Sequence, residues 1–273
     1  MEARRQRLVQ RRGWDHAATA YEGGWREQLE PAHSALLDAA HLAAGEEVID
    51  VACGTGLVTF AAARAVGPEG RVVATDLSAT MVALTAAGAA AAGIDNVTTA
   101  CCGAEDLTVP GPFDVAVCAL GLMYVPDPVC ALSEMCRVLR PSGRVAVAVW
   151  GERRNCGWAG LFAVVDERVS SDVCPMFFAL GAPSVLASAL TRAGFADVVE
   201  RRIAVTLDYP GDDEALDAAF VAGPVALASG RFDAATRASA HRDYLDSIAP
   251  FRTADGGYRI PGEFVIATAI RSL

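Results

Sequence analysis

Residues 48–56 read Val-Ile-Asp-Val-Ala-Cys-Gly-Thr-Gly, a β-prone run that closes on two glycines, and a helical stretch, 57–66, follows. A glycine turn between strand and helix lets a ligand approach the backbone closely, and the helix N-terminus favours a carboxylate or phosphate. Asp76 stands 20 residues after Gly56, at the end of the next β-prone run, 71–76. An acid placed there can accept both hydroxyls of a ribose. Either feature alone reads equally well as a tight turn or a helix cap. Their spacing inside one strand–helix–strand unit points to an adenosine-containing cofactor.

These residues need a scaffold, and the hydrophobic periodicity supplies one. Residues 1–45 read as helical, with Trp14, Tyr21 and Trp25 as aromatic anchors and Leu36, Leu37, Ala40 and His41 at helical spacing. Strand candidates at 48–51, 71–76, 97–101, 113–118 and 144–150 then alternate with helices at 57–66, 79–92 and one opened by Asp127-Pro128. Such alternation predicts an α/β fold, a doubly wound, mostly parallel sheet with helices on both faces. Beyond Trp150 the pattern loosens into a helix at 184–193, a strand at 198–207, helices near 214–222 and 234–248, and a terminal strand at 264–270. The expected division is an N-terminal helical lid (1–45), a cofactor-binding core (46–150) and a remainder (151–273) that carries a substrate cap at about 208–257.

Composition narrows the chemistry. All 23 basic residues are Arg, so lysine-dependent chemistry is excluded: Schiff bases, pyridoxal attachment and Walker-type phosphate binding. A net charge of -10 argues against nucleic acid as a partner, although Arg4, Arg5, Arg7, Arg11 and Arg12 crowd the N-terminus, where a solvated helix end is expected. The two longest uncharged stretches, 77–94 and 173–191, are not continuous apolar spans, so no membrane span is expected. The eight cysteines form no C-x-x-C pair and read as buried hydrophobes of a reduced, cytoplasmic protein, with no metal site.

Thr59 stands where a dinucleotide-binding turn carries its third glycine, and Asp50 precedes Gly54 by four residues. This pattern resembles the acid-x-(Gly/Ala)-x-Gly-x-Gly motif of class I S-adenosylmethionine-dependent methyltransferases. The resemblance continues through Ala74-Thr75-Asp76-Leu77-Ser78 with Met81, Ala104-Glu105-Asp106-Leu107, Phe113-Asp114-Val115 and the turn at 137–144. It covers 45–150 well and 14–44 loosely. The nearest flavour is the group holding the ubiquinone/menaquinone C-methyltransferases and many natural-product methyltransferases, which suggests secondary metabolism.

The resemblance implies a Rossmann-like seven-stranded sheet with an antiparallel C-terminal strand, N-terminal helices and a cap. It implies S-adenosylmethionine as cofactor, with the backbone of Ala52, Cys53, Gly54 and Gly56 at its methionine end and Asp50 orienting the amine. Asp76 would hold the ribose, Leu77 and Met81 would flank the adenine, and Ala104 and Glu105 would meet its edge. Backbone near Cys118 would reach the methionine amine, and Tyr21 would close over the site. Gly103 stands where relatives often carry Asp, which leaves the adenine amino contact to backbone or to Glu105.

Methyl transfer is an in-line displacement that depends mainly on alignment, with a base needed only for a protonated acceptor. Candidate bases are His16, His33 and His241, with Asp15 and Tyr124 behind them. The acceptor is expected to be a small, apolar or aromatic molecule held by Met123, Tyr124, Trp158, Phe162 and Phe178, with Phe177 and Phe220 nearby; these aromatics serve equally well as core. A homodimer fits the chain as well as a monomer does. Two alternatives share the glycine turn: a cofactor-binding protein that transfers no methyl group, and a metalloid methyltransferase using Cys156 and Cys174 with Cys101 or Cys102.

Overall fold

A computed structural model describes residues 3–169 and 177–272 of the chain. A helix, α1 (Ala3–Ala40), precedes the alternating elements β1 (Glu47–Val51), α2 (Leu57–Val66), β2 (Arg71–Asp76), α3 (Ala79–Ala91), β3 (Val97–Cys101), β4 (Phe113–Ala119), α4 (Pro128–Val138) and β5 (Leu139–Trp150). The second half holds α5 (Gly160–Asp166), α6 (Val185–Arg192), β6 (Phe195–Tyr209), α7 (Asp212–Phe220), α8 (Ala226–Ser229), α9 (Ala234–Ile248) and β7 (Tyr258–Arg271).

The strands form one seven-stranded sheet in the order β3-β2-β1-β4-β5-β7-β6. Pairs among β1 to β5 are parallel, whereas β7 runs antiparallel to both β5 and β6. The sheet is therefore the Rossmann-like arrangement with a reversed C-terminal strand. Ile49, Val115, Val117 and Val147 of the central strands are fully buried, because helices cover both faces. Strand order reverses between β1 and β4, and the crevice beyond their carboxyl ends is where an open α/β sheet binds ligands.

The N-terminal region is a single helix and not a group of helices. It continues through Gly23, Gly24 and Pro31, although proline removes a helical hydrogen bond. Burial of Trp25, Leu29, Ala32, Leu36 and Ala40 along one stripe offsets that loss. Gly24 permits the close passage of α7, since a Cβ there would lie 3.0 Å from the Cα of Ala218.

At the other end, β7 starts at Tyr258, six residues before the terminal strand predicted from 264. Its early part pairs with β6 but not with β5, where a strand tolerates Pro261. Likewise β5 extends back to Leu139, through the turn expected to separate it from α4. The short helices α5 and α8 were not expected, since neither is long enough to show a period. Helices α7, α8 and α9 all fall between β6 and β7, within the segment predicted as a cap.

Candidate active site

A cavity, partly open to solvent, lies at the carboxyl ends of β1 to β4, under α1. Its floor comes from four successive loops: Ala52 and Gly54 after β1; Asp76, Leu77 and Met81 around the end of β2; Cys102 to Glu105 after β3; and Ala119 to Gly121 at the end of β4.

The glycine turn is held in an unusual backbone conformation. Ala52, Gly54 and Gly56 all have positive φ, 60°, 57° and 94°. Ala52 is the residue for which this costs energy, and such strain concentrates at ligand-binding sites. A Cβ on Gly54 would meet nothing within 4 Å, so its absence leaves open cradle at the cavity wall. Gly121 has the opposite reason for being glycine: a Cβ there would lie 2.4 Å from the Cβ of Ala52 and 3.0 Å from Cys118 Sγ.

Two buried carboxylates brace the turn. Asp76 Oδ2 accepts a hydrogen bond from the Gly54 amide at 3.0 Å, and its Oδ1 accepts one from the Ser78 amide at 2.8 Å. Asp50 lies behind the turn, where its Oδ2 accepts from Thr59 Oγ1 at 2.6 Å. Its other oxygen, Oδ1, is buried with no partner among the described residues. Burial pushes the Asp50 carboxyl up to about 7 and that of Asp76 up to about 6.

Helix α1 is fastened across this floor at two points. Ser78 Oγ donates to Asp15 Oδ1 at 2.5 Å while also capping α3 by accepting from the Met81 amide. Arg7 Nη1 pairs with Glu105 Oε2 at 2.7 Å, and Glu105 Oε1 accepts from the Asp127 amide at 3.0 Å. Further along α1, Tyr21 lines the cavity; burial, and then the Asp76 charge, hold its hydroxyl proton well above the phenol range.

Much of the remaining wall is aromatic. Trp14 meets Tyr124 edge-on at 4.9 Å and Tyr21 at 5.8 Å, and Tyr124 meets Phe177 at 5.5 Å. Trp25, Trp150 and Trp158 complete the wall, with rings 4.9 to 6.3 Å apart.

The structure thus brings Tyr21, Ala52, Gly54, Asp76, Leu77, Met81, Ala104, Glu105, Tyr124 and Trp158 to one cavity. Asp50, Cys53, Gly56 and Cys118 form the layer beneath it. Cys53 Sγ lies 3.7 Å from Thr85 Oγ1, and burial pushes the Cys118 thiol up to about 12. Met123 is buried in the core, and Phe162 and Phe178 stack behind Trp158 at 5.8 and 5.7 Å.

None of the three candidate histidines lines the cavity. His16 is exposed and faces Gly230, and His241 stacks on Phe220 at 4.8 Å. Burial lowers His33 to about 4, which leaves it a neutral imidazole. Of the cysteines considered for a metalloid, Cys102 lines the cavity and Cys156 is buried against Glu263, while Cys174 lies outside the described residues. No group of three His, Cys, Asp or Glu side chains fit to hold a metal ion occurs among the described residues.

Sequence reasoning missed Arg7, Gln10, Leu29 and Trp150 as wall residues. A signal was present: positions 7, 10, 14, 21, 25 and 29 follow helical spacing, so one face of α1 supplies this wall.

Comparison with known proteins agrees with this geometry. A family model described as a methyltransferase domain matches residues 42–156. Nocamycin O-methyltransferase of Saccharothrix syringae is 34% identical over 203 residues, which cover 68% of this chain and 72% of that protein. The ubiquinone/menaquinone biosynthesis C-methyltransferase UbiE of Hahella chejuensis (strain KCTC 2396) is 39% identical over 121 residues, 44% of this chain and 49% of that one. The crystal structure of the BH2331 protein of Bacillus halodurans C-125 superposes with a TM-score of 0.62 over 89% of this chain and all of that one, at 21% identity, and shares the fold. A glycine turn braced by Asp76 at the switch point of this sheet, together with the nocamycin methyltransferase match, leads to one assignment: the chain belongs to the class I S-adenosylmethionine-dependent methyltransferases.

Proposed function

We propose that the protein methylates a small, apolar or aromatic acceptor, bound between α1 and the aromatic wall, in secondary metabolism. The observation that carries this reading is the division of the cavity. Its floor offers the polar backbone of four loops and Asp76, while its far wall is built of Trp14, Trp25, Tyr124, Trp150, Trp158 and Phe177. Nocamycin O-methyltransferase, at 34% identity, supports an oxygen as the methylated atom.

The residues on the floor fit the cofactor. The open cradle at Gly54, with Asp50 in the layer beneath it, suits the methionine end, and Asp76 at the end of β2 suits the ribose. Bound S-adenosylmethionine supplies an electrophilic methyl group: the acceptor's electron pair forms the new bond while the pair of the broken carbon–sulfur bond stays on sulfur. Leu77 and Met81 would pack on the adenine, with Ala104 at its edge. Glu105, committed to Arg7 and the Asp127 amide, would hold α1 in place there. Tyr21, with its proton held on by burial, would close the cavity as a neutral donor near Asp76.

The protein's own contribution is alignment and exclusion of water, which can lower a displacement barrier by about 7–11 kcal/mol. Labelled-methyl transfer to matched naphthols, hydroxyquinones and aliphatic amines tests this reading. Transfer to the aromatic oxygen acceptors supports it, and transfer to the amines alone would contradict it.

A further inference from the structure

Trp158 carries one group that packing does not explain. Its ring stands in the cavity wall, 2% exposed, among Trp25, Trp150, Phe162, Phe177 and Phe178. Its indole Nε1 is buried and finds no hydrogen-bond partner among the described residues. The neighbouring indole shows the ordinary solution: Trp25 Nε1 donates to the Ala218 carbonyl at 3.1 Å. A phenylalanine would line an apolar wall without leaving a buried donor unpaired, and such a donor destabilises the folded protein unless a partner arrives.

We infer that the Trp158 Nε1–H group is the hydrogen-bond donor that recognises an oxygen on the methyl acceptor, a carbonyl or enolate set in an otherwise apolar framework. This rests on the reading of the aromatic wall as the acceptor site and narrows it. The substrate class becomes aromatic or polyketide-like ketones, enols and quinones, as distinct from plain hydrocarbons or amines. A site built to donate to an oxygen discriminates strongly against an analogue that lacks it, because the donor is then left buried and unpaired. Trp158 would act by orienting the acceptor relative to the floor of the cavity, where the methyl group is held.

The test uses two probes of matched shape, 2-acetylnaphthalene and 2-ethylnaphthalene, titrated by calorimetry into protein saturated with S-adenosylhomocysteine. The wild type should prefer the ketone by about tenfold. Trp158→Phe should bring the two affinities within about twofold of each other by weakening the ketone alone. A purely structural role for Trp158 would weaken both probes equally.

Should Trp158→Phe fail to fold, the indole N–H signals of the four tryptophans in isotope-labelled wild-type protein give the same answer. One indole proton should move downfield with the ketone and stay in place with the hydrocarbon. A wild type without preference, a preference that survives in the variant, or binding of neither probe overturns the inference. Failure of S-adenosylhomocysteine itself to bind would instead overturn the reading of the cofactor floor.

Discussion

The Asp76 carboxylate accepts a hydrogen bond from the Gly54 amide at 3.0 Å, which ties the end of β2 to the turn that follows β1. With its other oxygen on the Ser78 amide, one side chain sets the glycine turn and the start of α3 together. The same carboxylate lies in the cavity floor. Asp76 therefore shapes the floor and presents it with negative charge, and several consequences can be measured.

Affinity for S-adenosylhomocysteine should depend on pH through Asp76. Burial raises its carboxyl to about 6, and ribose hydroxyls donate best to the ionised form. Binding should be constant above neutrality and weaken as pH falls through 6, by up to about tenfold per pH unit. Calorimetry between about pH 5 and pH 8 checks this, and an unchanged affinity would contradict it.

Stability of the free protein should show the opposite trend, through Asp50. Its carboxyl titrates near 7 in the folded chain, above the ordinary 3.8, so the native state holds the proton more tightly than the unfolded one. That contribution is complete below the ordinary carboxylate range and is lost as pH rises through 7, with Asp76 adding the same sign up to about 6. The melting temperature should fall from about pH 5 to about pH 8, and Asp50→Asn should flatten the slope.

Gly121→Ala should damage the site by distorting the cavity floor. The added Cβ would lie 2.4 Å from the Cβ of Ala52, forcing the end of β4 away from the turn after β1. A cost of about 1–3 kcal/mol is expected, together with weakened cofactor binding. Chemical denaturation and calorimetry measure the two effects.

Arg7→Ala releases one of the two fastenings of α1. The pair it forms with Glu105 is half exposed on the arginine side, so the loss of stability should stay under about 1 kcal/mol. Cofactor dissociation should nevertheless speed up, since Arg7 and Glu105 both line the cavity. Stopped-flow release of S-adenosylhomocysteine reads this directly. An unchanged rate would mean that α1 does not gate the cofactor.

The strand–helix alternation up to Trp150 was legible because strands buried on both faces read as short apolar runs, each followed by a turn and a helical stretch. The floor was legible for a related reason: glycines and acids at turns have few structural substitutes, so Gly54, Gly56 and Asp76 stood out. The aromatic wall was harder to read. Trp25, Trp150 and Phe177 are aromatic residues that serve equally well as core, and only the folded arrangement separates those facing the cavity from Phe162 and Phe178 behind them. The histidines misled for the same reason. Residue type suggested a base, whereas His33 is packed away and His16 and His241 face other parts of the chain. Residues 1–45 were legible as helical, but not as one helix, because Gly23, Gly24 and Pro31 locally argue for breaks that tertiary packing overrides.

The most direct test of the whole account is titration calorimetry of S-adenosylmethionine and S-adenosylhomocysteine into the wild type and Asp76→Ala, with folding of both checked by circular dichroism. The account predicts micromolar binding of both ligands to the wild type and a loss of at least about tenfold in the folded variant, since a ribose held by a buried carboxylate loses charge-assisted hydrogen bonds. Equal affinity in a folded Asp76→Ala protein would contradict it, because the cofactor would then lie somewhere other than the floor that Asp76 and Gly54 build.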